Sequence, residues 1–463
     1  MDGIPVNSDS SRRDFIRTGA AAALSAALPP LKSVPSSPSV LKTVGTVETV
    51  GGPAAIFRTE PMERVRIGFV GVGGQGMTHV ENLLEIPGAE LTAVCDIVEA
   101  KVQAAQAKAV AKGFREPAGY SRGPRDFERL CAEQELDLVF TATPWEWHVP
   151  VMLAAMANGK HAATEVPAAM TVDDCWAIVE SAEKHGKHCV MMENCCYDRF
   201  ELMTLNLVRQ GLLGEILHGE AGYLHDLRGV KFSPEGEGLW RRAWATSHNG
   251  NLYPTHGLGP IANCMDINRG DRFERIVSFS SPSRGLQLWQ AEQLEADDPR
   301  RRERYVLGDV NVSLIQTARG RTIYLAHNTN NPRPYSRLQL LQGTRGLVSG
   351  WPYRLHLEGR SPAHQWEDAA AYYEEFDHPL WRSKRVQEMD RGHGGMDFLE
   401  DFRLIECLTR GEPTDMDVYD AAALSSMVEL SIRSVAKRGR PEEVPDFTRG
   451  RWRSRRPWPI VEA

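Results

Sequence analysis

Gly71-Val72-Gly73-Gly74-Gln75-Gly76 sets glycines at the spacing G-x-G-x-x-G, directly after the apolar run Val65-Arg66-Ile67-Gly68-Phe69-Val70. Glycines at this spacing permit a tight turn, a close approach of backbone N–H groups to a pyrophosphate, and a helix whose N-terminus faces the phosphates. Gly71, Gly73, Gln75 and Gly76 are therefore candidate dinucleotide-binding residues. Asp96 stands 20 residues beyond Gly76, at the end of a second predicted strand. A carboxylate there accepts hydrogen bonds from the adenosine ribose hydroxyls and repels a 2′-phosphate, which favours NAD over NADP. A second cluster, Thr143-Pro144-Trp145-Glu146-Trp147-His148, follows a later strand. Two indoles and an imidazole at the carboxyl edge of a parallel sheet can wall the nicotinamide-ribose region. The same residues would also serve a helix start packed on the sheet.

These groups act together only if one sheet brings their loops to a common edge. Residues 65–70, 91–95, 137–142, 161–164 and 189–192 read as buried strands, with helices at 75–85, 97–112, 149–158 and 171–184 between them. Such alternation implies right-handed crossovers and a doubly wound parallel sheet, an α/β Rossmann domain over residues 60–194. Beyond Gly214 the segments 216–226, 275–281, 308–318 and 321–328 are extended and aromatic-rich. They predict a mainly antiparallel open sheet in a second, α+β domain over residues 195–440, with helices at 395–409 and 418–437 closing back onto the first domain. Residues 441–463 read as a tail.

Thr164-Glu165-Val166-Pro167 follows the fourth strand. With the glycine turn and Asp96 it resembles the glucose–fructose oxidoreductase, inositol dehydrogenase and rhizopine-catabolism superfamily, whose tripeptide at this point is commonly Glu-Lys-Pro. In those dehydrogenases the lysine helps position substrate and relay the hydroxyl proton. Valine carries no proton, so the resemblance points away from an ordinary polyol dehydrogenase. Further segments are more specific: Met192-Glu193-Asn194-Cys195-Cys196-Tyr197, Gly222-Tyr223-Leu224-His225-Asp226-Leu227-Arg228, Trp240-Arg241, Asn251-Leu252-Tyr253-Pro254-Thr255-His256-Gly257-Leu258-Gly259-Pro260, Asp266-Ile267-Asn268-Arg269-Gly270 and Asn331-Pro332-Arg333-Pro334-Tyr335-Ser336. This set is similar to glycoside hydrolase family 109, whose founding activity is an NAD-dependent α-N-acetylgalactosaminidase. The resemblance implies that Gln75, Gly76, Asp96, Trp145, Glu146, Trp147, His148, Glu165, Val166 and Asn194 line NAD. It implies that Glu193, Tyr223, Arg241, Tyr253, Pro254, Thr255, His256 and Tyr335 surround a terminal N-acetylgalactosamine. Segment 231–240 is shorter than the family's usual linker.

The residue types suit a hydroxyl-rich ligand on their own account, because carboxylate, guanidinium, phenol and imidazole offer paired donors and acceptors beside aromatic platforms. The resemblance also implies a route other than two flanking carboxylates. Hydride passes from C3 of the sugar to NAD, the ketone acidifies the C2 proton, elimination expels the aglycone, water adds, and the hydride returns. His256, Tyr223, Tyr253 and Glu193 are the catalytic candidates, with His256 expected at the C3 hydroxyl and Tyr223 near C2; spacing leaves that division open. An NAD-dependent sugar dehydrogenase is the alternative enzyme. A catalytically silent sugar-binding protein is the alternative outside enzymes.

Composition agrees with a packed globular protein: 463 residues, 42% hydrophobic and 25% charged, enough at roughly 100–200 residues per domain for two or three domains. A net charge of −7 argues against nucleic acid, and outside the N-terminus no apolar run reaches the roughly 18 residues of a membrane span. Cysteines 95, 131, 175, 189, 195, 196, 264 and 407 never fall as C-x-x-C. His148, His225, His248 and His256 lack a metal-ligand spacing, so no metal is expected. Ser11-Arg12-Arg13-Asp14-Phe15-Ile16-Arg17, followed by the small apolar stretch 20–28, resembles a twin-arginine export signal. Residues 1–52 then form signal and linker, and the mature chain is expected in the periplasm, exported folded with its cofactor. By analogy, the open face of the second sheet is expected to support a homodimer.

Overall fold

The computed structural model describes Phe57 and residues 59–383 and 393–461; the export segment lies outside them. Six strands form an all-parallel sheet in the order β3-β2-β1-β4-β5-β6. They are β1 (Val65–Val70), β2 (Ala89–Cys95), β3 (Ala118–Tyr120), β4 (Leu138–Thr141), β5 (His161–Thr164) and β6 (Cys189–Met191). Every residue of β4 and β5 is buried, because helices cover both faces and the strands need no polar side. Helices α1 (Gly74–Leu83), α2 (Glu99–Ala111), α3 (Asp126–Glu133), α4 (Trp145–Ala157) and α5 (Val172–His185) connect them. The strand order reverses between β1 and β4, which opens a crevice at their carboxyl ends.

Two glycines make the turn after β1 feasible. Gly71 has φ +86°, in the left-handed region that favours glycine. A Cβ on Gly76 would sit 1.9 Å from the Gly71 carbonyl oxygen, so α1 can rise this close to β1 only with a bare backbone there.

The chain then forms α6 (Arg199–Arg209) and a nine-stranded second sheet. Its strands are β7 (Ile216–Leu224), β8 (Phe273–Ser280), β9 (Asn311–Thr317), β10 (Thr322–Asn328), β11 (Leu340–Gly343), β12 (Gly346–Ser349), β13 (Arg354–Leu357), β14 (Glu367–Asp368) and β15 (Glu442–Glu443). All its pairings are antiparallel except β7 with β10. Helices α7 (Arg228–Phe232), α8 (Arg241–Ser247), α9 (Thr255–Cys264) and α10 (Gly285–Gln293) lie between its strands in sequence. Three last helices, α11 (Met396–Arg410), α12 (Val418–Ser425) and α13 (Met427–Ala436), return along the molecule. Helix α11 packs on α1, α12 on α5 and β6, and α13 on β8, so the C-terminal third joins both sheets.

Several boundaries differ from the sequence reading. Helix α4 starts at Trp145 rather than near 149, so the Trp145-Glu146-Trp147-His148 cluster is a helix's first turn. The segment 418–437 divides between α12 and α13 at Ser426. The Ser426 hydroxyl donates to Ala423 O, a local bond of the kind that competes with a helix ladder, and the Ser425 hydroxyl accepts from the distant Ala168 N. Residues 441–463 are tied down as far as they are described: β15 extends the second sheet, and Arg209 donates to Trp458 O at 2.8 Å. All eight cysteines are buried and unpaired.

Gly76→Ala is expected to lower the melting temperature and to strip bound nucleotide, since the added methyl meets backbone and not a movable side chain; nucleotide retained through gel filtration and a thermal melt check this.

Candidate active site

Asp96 ends β2 beside the glycine turn. Its carboxylate oxygens accept from Val72 N at 3.0 Å and Val98 N at 2.9 Å, which fixes the side chain while each oxygen keeps a second lone pair for a ribose hydroxyl. Nothing lies within 4 Å of a Cβ on Gly74, so the start of α1 borders open space. Backbone N–H groups there, without partners within the helix, suit a pyrophosphate. The residues present thus fit NAD, with Asp96 marking the adenosine end on the β2 side. Lys101 on α2, which the sequence reading passed over, brings Nζ within 3.8 Å of a Cβ on Gly73 and adds positive charge near that space.

Across the crevice, Glu165 follows β5 and Asn194 follows β6. Glu165 Oε1 lies 2.7 Å from His79 Nε2, and its Oε2 accepts from Val166 N at 3.1 Å. Val166 is itself buried. Asn194 Nδ2 donates to Asp397 Oδ1 at 2.6 Å and Gln75 Nε2 to Asp397 Oδ2 at 3.2 Å.

The Trp145-Glu146-Trp147-His148 cluster separates. Trp145 is buried and stands at the joint between the two halves of the site, its ring 4.8 Å from Trp240 and 5.9 Å from Tyr253. Trp147 instead meets Phe127 of α3 edge-on at 6.1 Å. Glu146 is exposed. His148 is buried with Nδ1 2.8 Å from Pro167 O and Nε2 2.9 Å from Thr143 O, so both ring nitrogens are engaged by backbone. Helical direction explains the split: successive residues of one turn cannot all face the same crevice.

The aromatic side is built where α9 crosses β7. A Cβ on Gly257 would lie 2.2 Å from Gly222 N, and this backbone-to-backbone approach sets His256, the residue before Gly257, beside Tyr223. The rings of Tyr223 and Tyr253 are 4.6 Å apart, and His256 lies 5.4 Å and 4.8 Å from them. Pro254 caps α9 and Thr255 opens it, buried. Asn251 holds the loop before them, accepting from Tyr253 N at its side chain and donating its own N–H to Ser431 on α13. Tyr335 packs against Tyr223 at 6.2 Å and accepts from Arg337 Nη1 at 3.3 Å. The Arg241 guanidinium lies 5.0 Å from the rings of Trp145 and Tyr253 and pairs with Glu237 at 2.8 Å. The sequence-predicted Glu193, Tyr223, Arg241, Tyr253, His256 and Tyr335 are thus brought together.

Glu193 is fully buried. Its Oε1 accepts from Cys195 N at 3.2 Å and from His256 Nδ1 at 2.7 Å, while Oε2 has no partner among the described residues. A carboxylate on Nδ1 fixes the tautomer and leaves Nε2 as the working nitrogen. Burial pushes the Tyr223 phenol well up, with Arg241 drawing it part of the way back, so Tyr223 is a neutral donor at neutral pH. Its OH is 3.1 Å from Nδ1 of His225, whose pKa is lowered by burial and then by Arg241. A neutral imidazole there can accept the phenol proton. His225 was visible in the sequence only as a neighbour of Tyr223 in the quoted motif.

Glu193, Cys195 and His256 also form the one group among the described residues with metal-site spacing, their ligand atoms within 4.8 Å of one another. The chemistry of the set favours a hydrogen-bonded unit: Glu193 Oε1 is engaged twice, and burial holds the Cys195 thiol well up, whereas the thiolate is the ligating form.

Residues 65–193 match the oxidoreductase family with an NAD-binding Rossmann fold, and residues 197–454 match the C-terminal domain of glycosyl hydrolase 109. The chain belongs to glycosyl hydrolase family 109. It is 44% identical over 453 residues to a family 109 protein of Solibacter usitatus, spanning 97% of this chain and 99% of that one. It is 46% identical over 456 residues to a family 109 protein of Shewanella amazonensis, with the same shares covered. Among solved structures it resembles a levoglucosan dehydrogenase complexed with NADH and L-sorbose, at TM-score 0.64 and 17% identity over 83% of this chain and 100% of that one. It also resembles an inositol dehydrogenase homolog complexed with NAD+ from Azotobacter vinelandii, at TM-score 0.61 and 16% identity over 83% and 98%. At these identities the likeness is one of fold. NAD is the cofactor of this family 109 protein, which is an NAD-using glycoside hydrolase.

Two outcomes follow for the family 109 site. Asp96→Ala should weaken NAD binding by about tenfold or more, the loss of charge-assisted hydrogen bonds to ribose, as read by nucleotide retained on purification; unchanged NAD content would misplace the adenosine end. Incubation with EDTA should leave turnover unchanged, and activity lost to chelation and restored by one divalent ion would instead make Glu193, Cys195 and His256 metal ligands.

Proposed function

We propose that this enzyme removes terminal α-N-acetylgalactosamine from glycans by transient oxidation and elimination. The observation that carries the reading is the Glu193–His256 hydrogen bond of 2.7 Å in a chain that has valine at position 166. The lysine expected of a superfamily dehydrogenase is missing, and a carboxylate-oriented imidazole offers the proton acceptor in its place.

NAD, when bound, supplies a reversible hydride acceptor for C3 of the sugar, and oxidation at C3 acidifies the proton on C2. His256 takes the C3 hydroxyl proton at Nε2, and the buried Glu193 carboxylate stabilises the imidazolium that results, as an acid does behind the histidine of a catalytic triad. Tyr223 passes its phenol proton to the neutral His225 ring at 3.1 Å and in the same step takes the C2 proton as the aglycone leaves, and both transfers reverse after water has added. Tyr253 and Tyr335 pack against Tyr223 and keep bulk water from the reacting carbons. Arg241, held in the aromatic cage, donates to oxygen on the sugar ring or its N-acetyl group.

The test is incubation of the purified holoprotein with an aryl α-N-acetylgalactosaminide, following phenol release and free NADH together. Many turnovers of phenol without accumulating NADH are expected. Stoichiometric NADH would make the enzyme a sugar dehydrogenase, and neither signal would make it a binding protein. In deuterated water the released sugar should gain deuterium at C2, whereas a substrate labelled at C3 should keep its label; direct displacement alters neither position. His256→Ala should depress both phenol release and transient reduction of the bound nucleotide.

A further inference from the structure

Beneath the cofactor crevice, two acids one turn apart on α11 are wired to three residues that line it. Asp397 accepts from Gln75 and Asn194. Asp401 lies 2.9 Å from His79 Nδ1 and accepts from Asn82 Nδ2 at 2.9 Å; the other nitrogen of His79 lies 2.7 Å from Glu165. His79, Asp397 and Asp401 are fully buried, so none of them reaches a ligand in the crevice. Gln75, Glu165 and Asn194 do border it, and they lie on the α1, β5 and β6 side, opposite the Asp96 end. Glu193 and His256 adjoin Asn194. The end of the cofactor nearest the reacting sugar is therefore the end that this buried network reaches.

We propose that Asp397 and Asp401, acting with His79, are the positioning residues of the nicotinamide half of the cofactor site, fixing Glu165, Gln75 and Asn194 from below. The network holds a charged His79 ring between two carboxylates. Burial opposes a charged His79 ring, but Asp401 and then Glu165 outweigh it and hold its pKa well above the usual value. Asp397 is held at about 2 despite burial, by His393 and His79. Glu400, which also faces His79 from α11, has no hydrogen-bond partner among the described residues, and burial pushes it well up, so it stands neutral. The charged ring donates to Glu165 on one side and to Asp401 on the other, and a neutral ring can donate to only one of them. This inference rests on NAD binding alone, not on the sugar chemistry proposed above.

The test uses the full chain freed of bound nucleotide and titrated with NADH and, separately, with ADP, which lacks the nicotinamide half. Asp401→Asn should weaken NADH by about tenfold, the loss of one charge-assisted bond, and leave ADP within about twofold. Asp401→Glu should recover part of the loss. Removing one of two carboxylates lets the ring lose its proton earlier, so the fall in NADH affinity with rising pH should move to lower pH in Asp401→Asn. His79→Gln should abolish that dependence, and with Asp397→Asn it provides the same NADH-against-ADP comparison should Asp401→Asn not fold. Equal weakening of NADH and ADP, unchanged NADH affinity, or a pH profile that does not move would each reduce the network to structural support and overturn the proposal.

Discussion

The hydrogen bond between Glu193 and His256 sets the geometry on which the rest of the site depends. The acid comes from the loop after β6 of the parallel sheet, and the imidazole from the first turn of α9 on the second sheet. A buried carboxylate is costly unless it is hydrogen-bonded, so the pair does more than orient a base. It fixes how far the edge that holds the dinucleotide stands from the aromatic enclosure. The close passage of α9 over β7, and the tie from Asn251 to α13, deliver His256 to that one acceptor.

Two environments meet across this bond, and they tune their groups in opposite ways. The side built around Tyr223 and Tyr253 is aromatic, with Arg241 caged among its rings, so its phenols are desolvated and stay neutral donors. The side beneath the crevice is dense in carboxylates, so its imidazoles hold their protons. His256 lies between them, partly open and bonded to one acid.

Much of this was legible in the sequence because the relevant signals are local. A strand, a glycine turn, a helix and an acid in order announce a Rossmann crossover, and the extended, aromatic-rich character of 216–226, 308–318 and 321–328 announces sheet. Short strands such as Ala118–Tyr120 and Glu367–Asp368 carry too few residues for any period to show. The first turn of α4 was misjudged because composition names residue types but not the direction each faces around a helix. Asp397, Glu400 and Asp401 were missed for a related reason. Acids at helical spacing ordinarily mark a solvated face, and here Asp397 and Asp401 turn inward to partners that include the distant Gln75, His79 and Asn194, while Glu400 is buried in its neutral form.

That distance in sequence governs when the site can exist. His79 and Asp401 are 322 positions apart, and α11 emerges from the ribosome only after every strand except β15 has been made. The dinucleotide turn and its surrounding strands can form early, but the floor under the reactive end of the cofactor arrives with the final helices. Nascent chains therefore present an adenosine pocket before they present a competent redox pocket. Chains cut short before α11 lack the two acids that brace Gln75, His79 and Asn194.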